Sequence, residues 1–141
     1  MGMTLAEKII ASHLIEGRME PGSEIAIRAD QWLSHDMNAP MGFLGFETLG
    51  IPRVRVPLAV LYTDHNLVQV DYKTPDDFAY LQSIAQKYGI HFSRAGNGIC
   101  HITHTHRFAV PGQVLIGADS HTPMSSSVGM LAIGVGGWTA P

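Results

Sequence analysis

Two short stretches each end on side chains able to move protons. AVLYTDHN closes an apolar run on Asp64 and His65, and VLIGADSHT closes another on Asp119, Ser120 and His121. A carboxylate beside an imidazole orients the ring and raises its basicity, which is what general acid–base catalysis uses. Neighbouring residues on a strand point to opposite faces, so Asp64 meets His65 only if the chain turns there. The alternative is a polar strand end with Asn66 as turn former. Asp119, Ser120 and His121 invite a hydrolase reading, but the stretch reads G-A-D-S-H and lacks the G-x-S-x-G elbow. A helix start after them would offer free N–H groups. With Ser120 and Thr122 these would hold a carboxylate or phosphate, or form an ordinary cap. CHITHTHRF adds Cys100, His101, His104 and His106. A zinc or iron site is chemically possible there, and His104 and His106 share a face if the backbone is extended. One thiol does not build an iron–sulfur cluster. Glycines 129, 134, 136 and 137 fit neither a P-loop nor G-x-G-x-x-G, and read instead as sites of close helix–sheet approach.

The elements that must position these groups alternate. Thr4 and Glu7 have capping-box spacing at the start of a helix in TLAEKIIASH. EIAIRAD alternates like a strand with one buried face. Asn38 would cap a helix starting near Pro40 and ending at Gly50. VPLAVLYTD reads as a buried parallel strand. TPDDFAYLQSIAQKYG is the clearest helix, with Thr74 as cap, Pro75 first inside, and Phe78, Leu81, Ala85 and Tyr88 on one side. IHF, ICHI and VLIGAD are strand candidates. Val128, Leu131, Ala132 and Val135 recur at helical spacing and predict a last helix. This order implies a three-layer α/β/α fold with a largely parallel sheet. Ligands of such sheets gather beyond the C-terminal strand ends, where both polar stretches fall.

Composition narrows the classes. The chain has 141 residues, 45% hydrophobic, with a formal net charge of −3. Only 9 residues are Lys or Arg, and they are scattered, which disfavours nucleic-acid binding. No apolar run reaches membrane-spanning length and no secretory signal is visible. The single Cys excludes a disulfide framework within the chain and makes the cytoplasm the default expectation. Met124, Met130, Leu131, Ile133, Val135 and Trp138 load the tail with apolar surface, which predicts self-association into a homo-oligomer or weak order there.

Taken in order, SHDMNAPMGF, YTDHN, GNGICHI and VPGQVLIGADSHTPMSSSVGMLAIGVGG resemble the successive motifs of the aconitase superfamily large-subunit core, which includes the isopropylmalate and homoaconitate dehydratases. The likeness covers about residues 3 to 137 and implies that residues 1–141 are the N-terminal part of a first α/β domain. It implies a hydro-lyase that reversibly dehydrates a small hydroxy polycarboxylate on a [4Fe-4S] cluster, citrate or isocitrate before isopropylmalate or homocitrate. By that resemblance Asp64 orients His65, which acts as general acid on the departing hydroxyl. Asp119 and His101 form a second pair, and His121 lines the site. Ser120 holds a substrate carboxylate, His35 contacts substrate, and Asp36 steadies the turn after it. The cluster cysteines and the carboxylate-binding arginines belong to later domains or to a small swivel subunit. No cluster ligand is therefore expected in this segment, and no cluster or activity from this chain alone. The competing readings are a non-catalytic binding or assembly domain that keeps the fold, and a zinc hydrolase built on the clustered histidines.

Overall fold

The computed structural model describes residues 2–136. Trp138 and the GWTAP ending, on which part of the tail expectation rests, lie outside the described residues. Five parallel strands form the main sheet in the order β5-β4-β3-β6-β7. They are β3 (Gln31–His35), β4 (Leu58–Tyr62), β5 (His91–Ser93), β6 (Val114–Gly117) and β7 (Leu131–Gly134). Helix α1 (Leu5–His13) leads into a small antiparallel pair, β1 (Leu14–Glu16) with β2 (Ala26–Ile27). Helices α2 (Ala39–Thr48), α3 (Lys73–Tyr88) and α4 (Cys100–Arg107) connect the strands.

Alternation along β4 separates two cores. Ala59 and Leu61 pack with Ala39, Phe43 and Phe46 of α2 and Leu81, Ile84, Ala85 and Tyr88 of α3. Val60 and Tyr62 face the other way, with Leu33, Leu115, Cys100 of α4, Met130 and Ala132. Helices therefore cover both faces, and the predicted α/β/α layering with a parallel sheet is the observed one.

Local chemistry accounts for the helix ends. At α1, Thr4 Oγ1 accepts from Glu7 N (3.3 Å) and Thr4 N donates to Glu7 Oε2 (2.6 Å), the capping box read from sequence. Helix α3 stops where Gly89 takes a φ of 75°, a left-handed conformation that glycine adopts without steric cost. Its start differs from expectation. The helix begins at Lys73, and Asp71 Oδ1, not Thr74, accepts from Lys73 N (3.0 Å) and Thr74 N (3.4 Å).

Three further expectations are corrected. EIAIRAD forms only the short β2, outside the main sheet. ICHI is the first turn of α4 and not a strand. His104, His106 and Arg107 consequently lie on that helix. The predicted last helix is a 3-10 helix (Thr122–Val128) followed by β7, because Gly129 turns the chain at φ 88° and Leu131–Gly134 pairs with β6. Strand β3, which carries His35, has no counterpart in the sequence reading.

Candidate active site

The site follows from topology. The chain leaves β3 toward β4 on one side and leaves β6 toward β7 on the other, so the neighbours β3 and β6 part at their C-terminal ends. A crevice opens at such a switch point. His35 is the last residue of β3, and Asp119 lies just past the end of β6. Asn38 spans the gap. It stands at the N-cap of α2, but its side chain makes no cap hydrogen bond there; Ser34 Oγ donates to its Oδ1 (2.9 Å), while its Nδ2 donates to the Ala118 carbonyl.

The turn after β4 brings Asp64 and His65 together. His65 Nδ1 lies 2.9 Å from Asp64 Oδ1, and the His65 side chain is 26% exposed. That turn is held by Asp36, whose side chain is fully buried. Its Oδ1 accepts from Asp64 N and His65 N, each at 3.0 Å, and its Oδ2 accepts from Asn66 N at 2.7 Å. Asp36 thus steadies the Asp64–His65 turn from the neighbouring strand. The second oxygen of Asp64 accepts from Cys100 N (2.6 Å), at the first residue of α4. A carboxylate at a helix N-terminus satisfies a free N–H and complements the helix dipole. Asp64 therefore fixes His65 and the start of α4 at once.

Asp119 is the other hub. Its Oδ1 accepts from His121 N (2.7 Å) and lies 2.6 Å from His101 Nε2; its Oδ2 lies 3.3 Å from His35 Nε2. Burial pushes the Asp119 carboxyl up, but the bond from His121 N and the imidazoles of His101 and His35 outweigh it and leave it below the usual carboxylate range. The His35 and His65 rings stack at 3.9 Å between centroids. Burial and then the neighbouring His65 charge hold His35 below the usual imidazole range, against the opposing pull of Asp119, Asp64 and Asp36. Ser120 is exposed, with Oγ 3.4 Å from His121 Nδ1. Asp64, His65, His101, Asp119, His121, Ser120 and His35 therefore gather beyond the C-terminal ends of β3, β4 and β6.

Glycine makes the close approach possible. A Cβ on Gly117 would lie 2.1 Å from Thr122 Oγ1, and one on Gly134 would lie 2.5 Å from the Asp119 carbonyl oxygen. Both clash, so these two positions let the Asp119–Thr122 turn fold back over the sheet edge.

The clustered histidines of CHITHTHRF separate on the helix. His101 faces the crevice, His106 is exposed, and His104 is fully buried. His104 Nδ1 lies 2.9 Å from Tyr62 Oη and its Nε2 lies 2.8 Å from Gln31 Oε1. Because the Gln31 oxygen only accepts, Nε2 carries the proton and Nδ1 accepts from the tyrosine. Burial, then the nearby His101, pushes His104 down to about 4. This internal strut was not read from sequence, because Gln31 and His104 lie 73 residues apart and each sits among polar neighbours along the chain. A zinc centre on His101, His104 and His106 is excluded, because His104 spends both nitrogens inside the core.

A model of the aconitase family (aconitate hydratase) matches residues 7–141. The chain belongs to the aconitase family. The mitochondrial aconitate hydratase of Schizosaccharomyces pombe is 37% identical over 149 residues, covering 96% of this chain and 19% of that protein. The mitochondrial homocitrate dehydratase of Saccharomyces cerevisiae is 37% identical over 155 residues, covering 96% of this chain and 20% of that protein. The 3-isopropylmalate dehydratase large subunit of Thermodesulfovibrio yellowstonii is 40% identical over 141 residues, covering 96% of this chain and 33% of that protein. This aconitase-family chain thus spans about a fifth to a third of the length of these relatives. Relatives named as mitochondrial overturn the cytoplasmic expectation. A lone Cys excludes an internal disulfide but does not separate one thiol-preserving compartment from another. Among the described residues no helix is long and apolar enough to cross a membrane.

The donor chemistry of the crevice does not fit ligation of the [4Fe-4S] cluster that the resemblance implies. Such clusters are held by several thiolates, and this chain has one Cys. Cys100 is fully buried, and burial followed by the Asp64 charge pushes its thiol up, away from the thiolate form.

Proposed function

We propose that this chain forms the N-terminal, acid–base wall of a hydro-lyase that adds water to, and removes it from, a small hydroxy polycarboxylate. One observation carries the reading: two imidazole–carboxylate pairs, His65–Asp64 and His101–Asp119, stand at the mouth of a single switch-point crevice. Dehydration needs a proton delivered to a departing hydroxyl, and hydration needs one removed from water. His65 suits that task. Asp64 Oδ1 faces Nδ1 and fixes the orientation of the ring, which leaves Nε2 to exchange a proton with a ligand. Asp119 holds the His101 ring in place through Nε2. Ser120 and the exposed His121 offer donors for a carboxylate at the rim, and the buried His35 backs the His65 ring by stacking against it. Citrate or isocitrate is the favoured substrate, with isopropylmalate and homocitrate behind it. The rest of the protein, in the same polypeptide or as a separate subunit, would supply the cluster thiolates and the cationic groups for the carboxylates.

A graft tests this. The chain replaces the matched segment of the Schizosaccharomyces pombe aconitate hydratase, and turnover of citrate, isopropylmalate and homocitrate is measured. Turnover is expected with the graft and absent from the isolated 141-residue chain. His65→Asn should lower kcat of the graft by about 10²–10⁴-fold. A folded, cluster-loaded graft that turns over all three substrates equally well with His65→Asn would overturn the reading and favour a non-catalytic domain.

A further inference from the structure

Helix α4 turns a polar side inward. The residues it buries are Cys100, His101, Thr103 and His104, while Ile102 is exposed. An apolar stripe grips its neighbours without direction and tolerates some roll of the helix. A helix that buries imidazoles and a hydroxyl is set instead by the atoms those groups bond. His101 and His104 stand three residues apart, on the same side of α4. We infer that His104 is a positioning residue: braced between Tyr62 Oη and Gln31 Oε1, it sets the roll of α4 and thereby holds His101 Nε2 against Asp119 Oδ1.

The bonds of the brace have one consistent direction. Gln31 Nε2 donates to the Phe108 carbonyl (2.8 Å) and to Gln113 Oε1 (2.5 Å). The Phe108 carbonyl only accepts, so the amide oxygen of Gln31 is the atom left to face His104 Nε2. That nitrogen donates, and Nδ1 accepts from Tyr62 Oη at 2.9 Å. Turning this fully buried ring over would strand polar atoms on both sides of it, which selects one orientation. Three adjacent strands share the brace: Tyr62 ends β4, Gln31 opens β3, and Gln113 precedes β6. Because Gln31 also reaches Phe108, the C-cap of α4, one amide ties the middle and the end of the helix to β3. Asp64 ties the other end through Cys100 N.

His101 depends on that support. Its Nδ1 has no partner among the described residues, so Asp119 holds the ring through Nε2 alone, at 2.6 Å. One hydrogen bond leaves a ring free to swing about it, and the backbone of α4 supplies the second constraint. His104 is fully buried, so it acts through the helix and not on a ligand. Burial, then the nearby His101, pushes its ring down to about 4, so the brace keeps its donor and acceptor at neutral pH. The placement of His101 rests on geometry alone, and its consequence for turnover rests on the acid–base reading of the His101–Asp119 pair.

Three variants separate placement from stability. His104→Leu removes both bonds and keeps an apolar side chain in the core. Tyr62→Phe removes only the Oη donor. Leu81→Ala opens a cavity in the core on the other face of the sheet, away from Tyr62. In the 141-residue chain, the readout is the downfield NMR signal of the His101 Nε2 proton shared with Asp119. We expect this signal in the unaltered chain and in Leu81→Ala, its loss to solvent exchange in His104→Leu, and its weakening in Tyr62→Phe. In the grafted hydratase, His104→Leu should lower kcat per folded molecule by about 10–100-fold with KM little changed, as a small misplacement far from the chemistry does. Tyr62→Phe should lower it less, and Leu81→Ala should leave it unchanged. A signal that survives both His104→Leu and Tyr62→Phe overturns the proposal. So does its absence from the unaltered chain, an equal loss in Leu81→Ala, or an active graft whose kcat ignores His104→Leu. Where His104→Leu fails to fold, Tyr62→Phe decides by the same signal. An inactive graft counts against the acid–base reading and leaves the placement test in the isolated chain intact.

Discussion

The sheet carries a histidine–aspartate pair at each end, and the two pairs behave differently. At the N-terminal end His13 Nε2 lies 2.7 Å from Asp30 Oδ2, and at the C-terminal end His101 Nε2 lies 2.6 Å from Asp119 Oδ1. Lengths and residue types match, but the surroundings do not. His13 Nδ1 faces the Ile9 carbonyl at 2.7 Å, and Asp30 Oδ2 also accepts from Val114 N at 2.8 Å. Asp30 further joins the strand starts through its backbone, which donates to Val114 O and accepts from Leu58 N. The first pair is a closed clasp that ties α1 to β3, β4 and β6. The second leaves His101 Nδ1 without a partner among the described residues and keeps His35 within reach of the same carboxylate. A histidine–aspartate pair becomes a working group through the capacity its neighbours leave unused.

The comparison breaks most sharply under matched substitutions. Asp119→Asn in the grafted enzyme should lower kcat by about 10²–10⁴-fold while the thermal midpoint falls little. Asp30→Asn should do the reverse. It should cost about 1–3 kcal/mol in denaturant unfolding, because it weakens the hydrogen bonds that Asp30 makes with His13 and Val114 N in a part-buried clasp, and it should keep turnover per folded molecule. Equal losses of activity and stability from both changes would erase the distinction.

Acid sharpens the contrast from inside the core. His104 titrates near about 4 when folded, against an ordinary value of 6.5. Between those values the unfolded chain binds more protons, so stability falls as pH drops through that window. A shift of this size corresponds to about 3 kcal/mol. Asp119 adds to the loss further down, because a depressed carboxyl stabilises above its unfolded value and ceases to as pH falls through the folded one. His104→Gln should flatten the upper part of the acid limb. An unchanged slope there would show that another group carries it. The smallest effect belongs to the periphery. Thr4→Ala should cost about 1 kcal/mol through the lost cap and leave graft turnover untouched.

The strand ends bearing Asp64 and Asp119 were legible because an apolar run followed by acidic and imidazole groups is a local pattern. The elements set by distant partners were not. Strand β3 buries Gln31, Ser34 and His35, and their polarity hides the strand. Gln31 meets His104 and the Phe108 carbonyl, and Ser34 meets Asn38. Helix α4 has no side-chain cap of its own, because the acceptor for Cys100 N is Asp64, 36 residues away. Asn38 read as a local cap for a similar reason, since its true partner, the Ala118 carbonyl, is 80 residues away. The apolar spacing of 128–135 fits a helix, but Gly129 and the open edge of β6 decide for a strand.

Asp36 gives the exposed Asp64–His65 turn an internal clock. Amides on a polar surface turn ordinarily trade hydrogen for deuterium quickly, yet those of Asp64, His65 and Asn66 all point at one buried carboxylate. Their exchange therefore waits on the opening of β3 and not on motion of the loop. A turn that samples solvent freely with its side chains keeps the slow backbone of the core, so the placement of His65 is renewed only as often as the sheet itself comes apart.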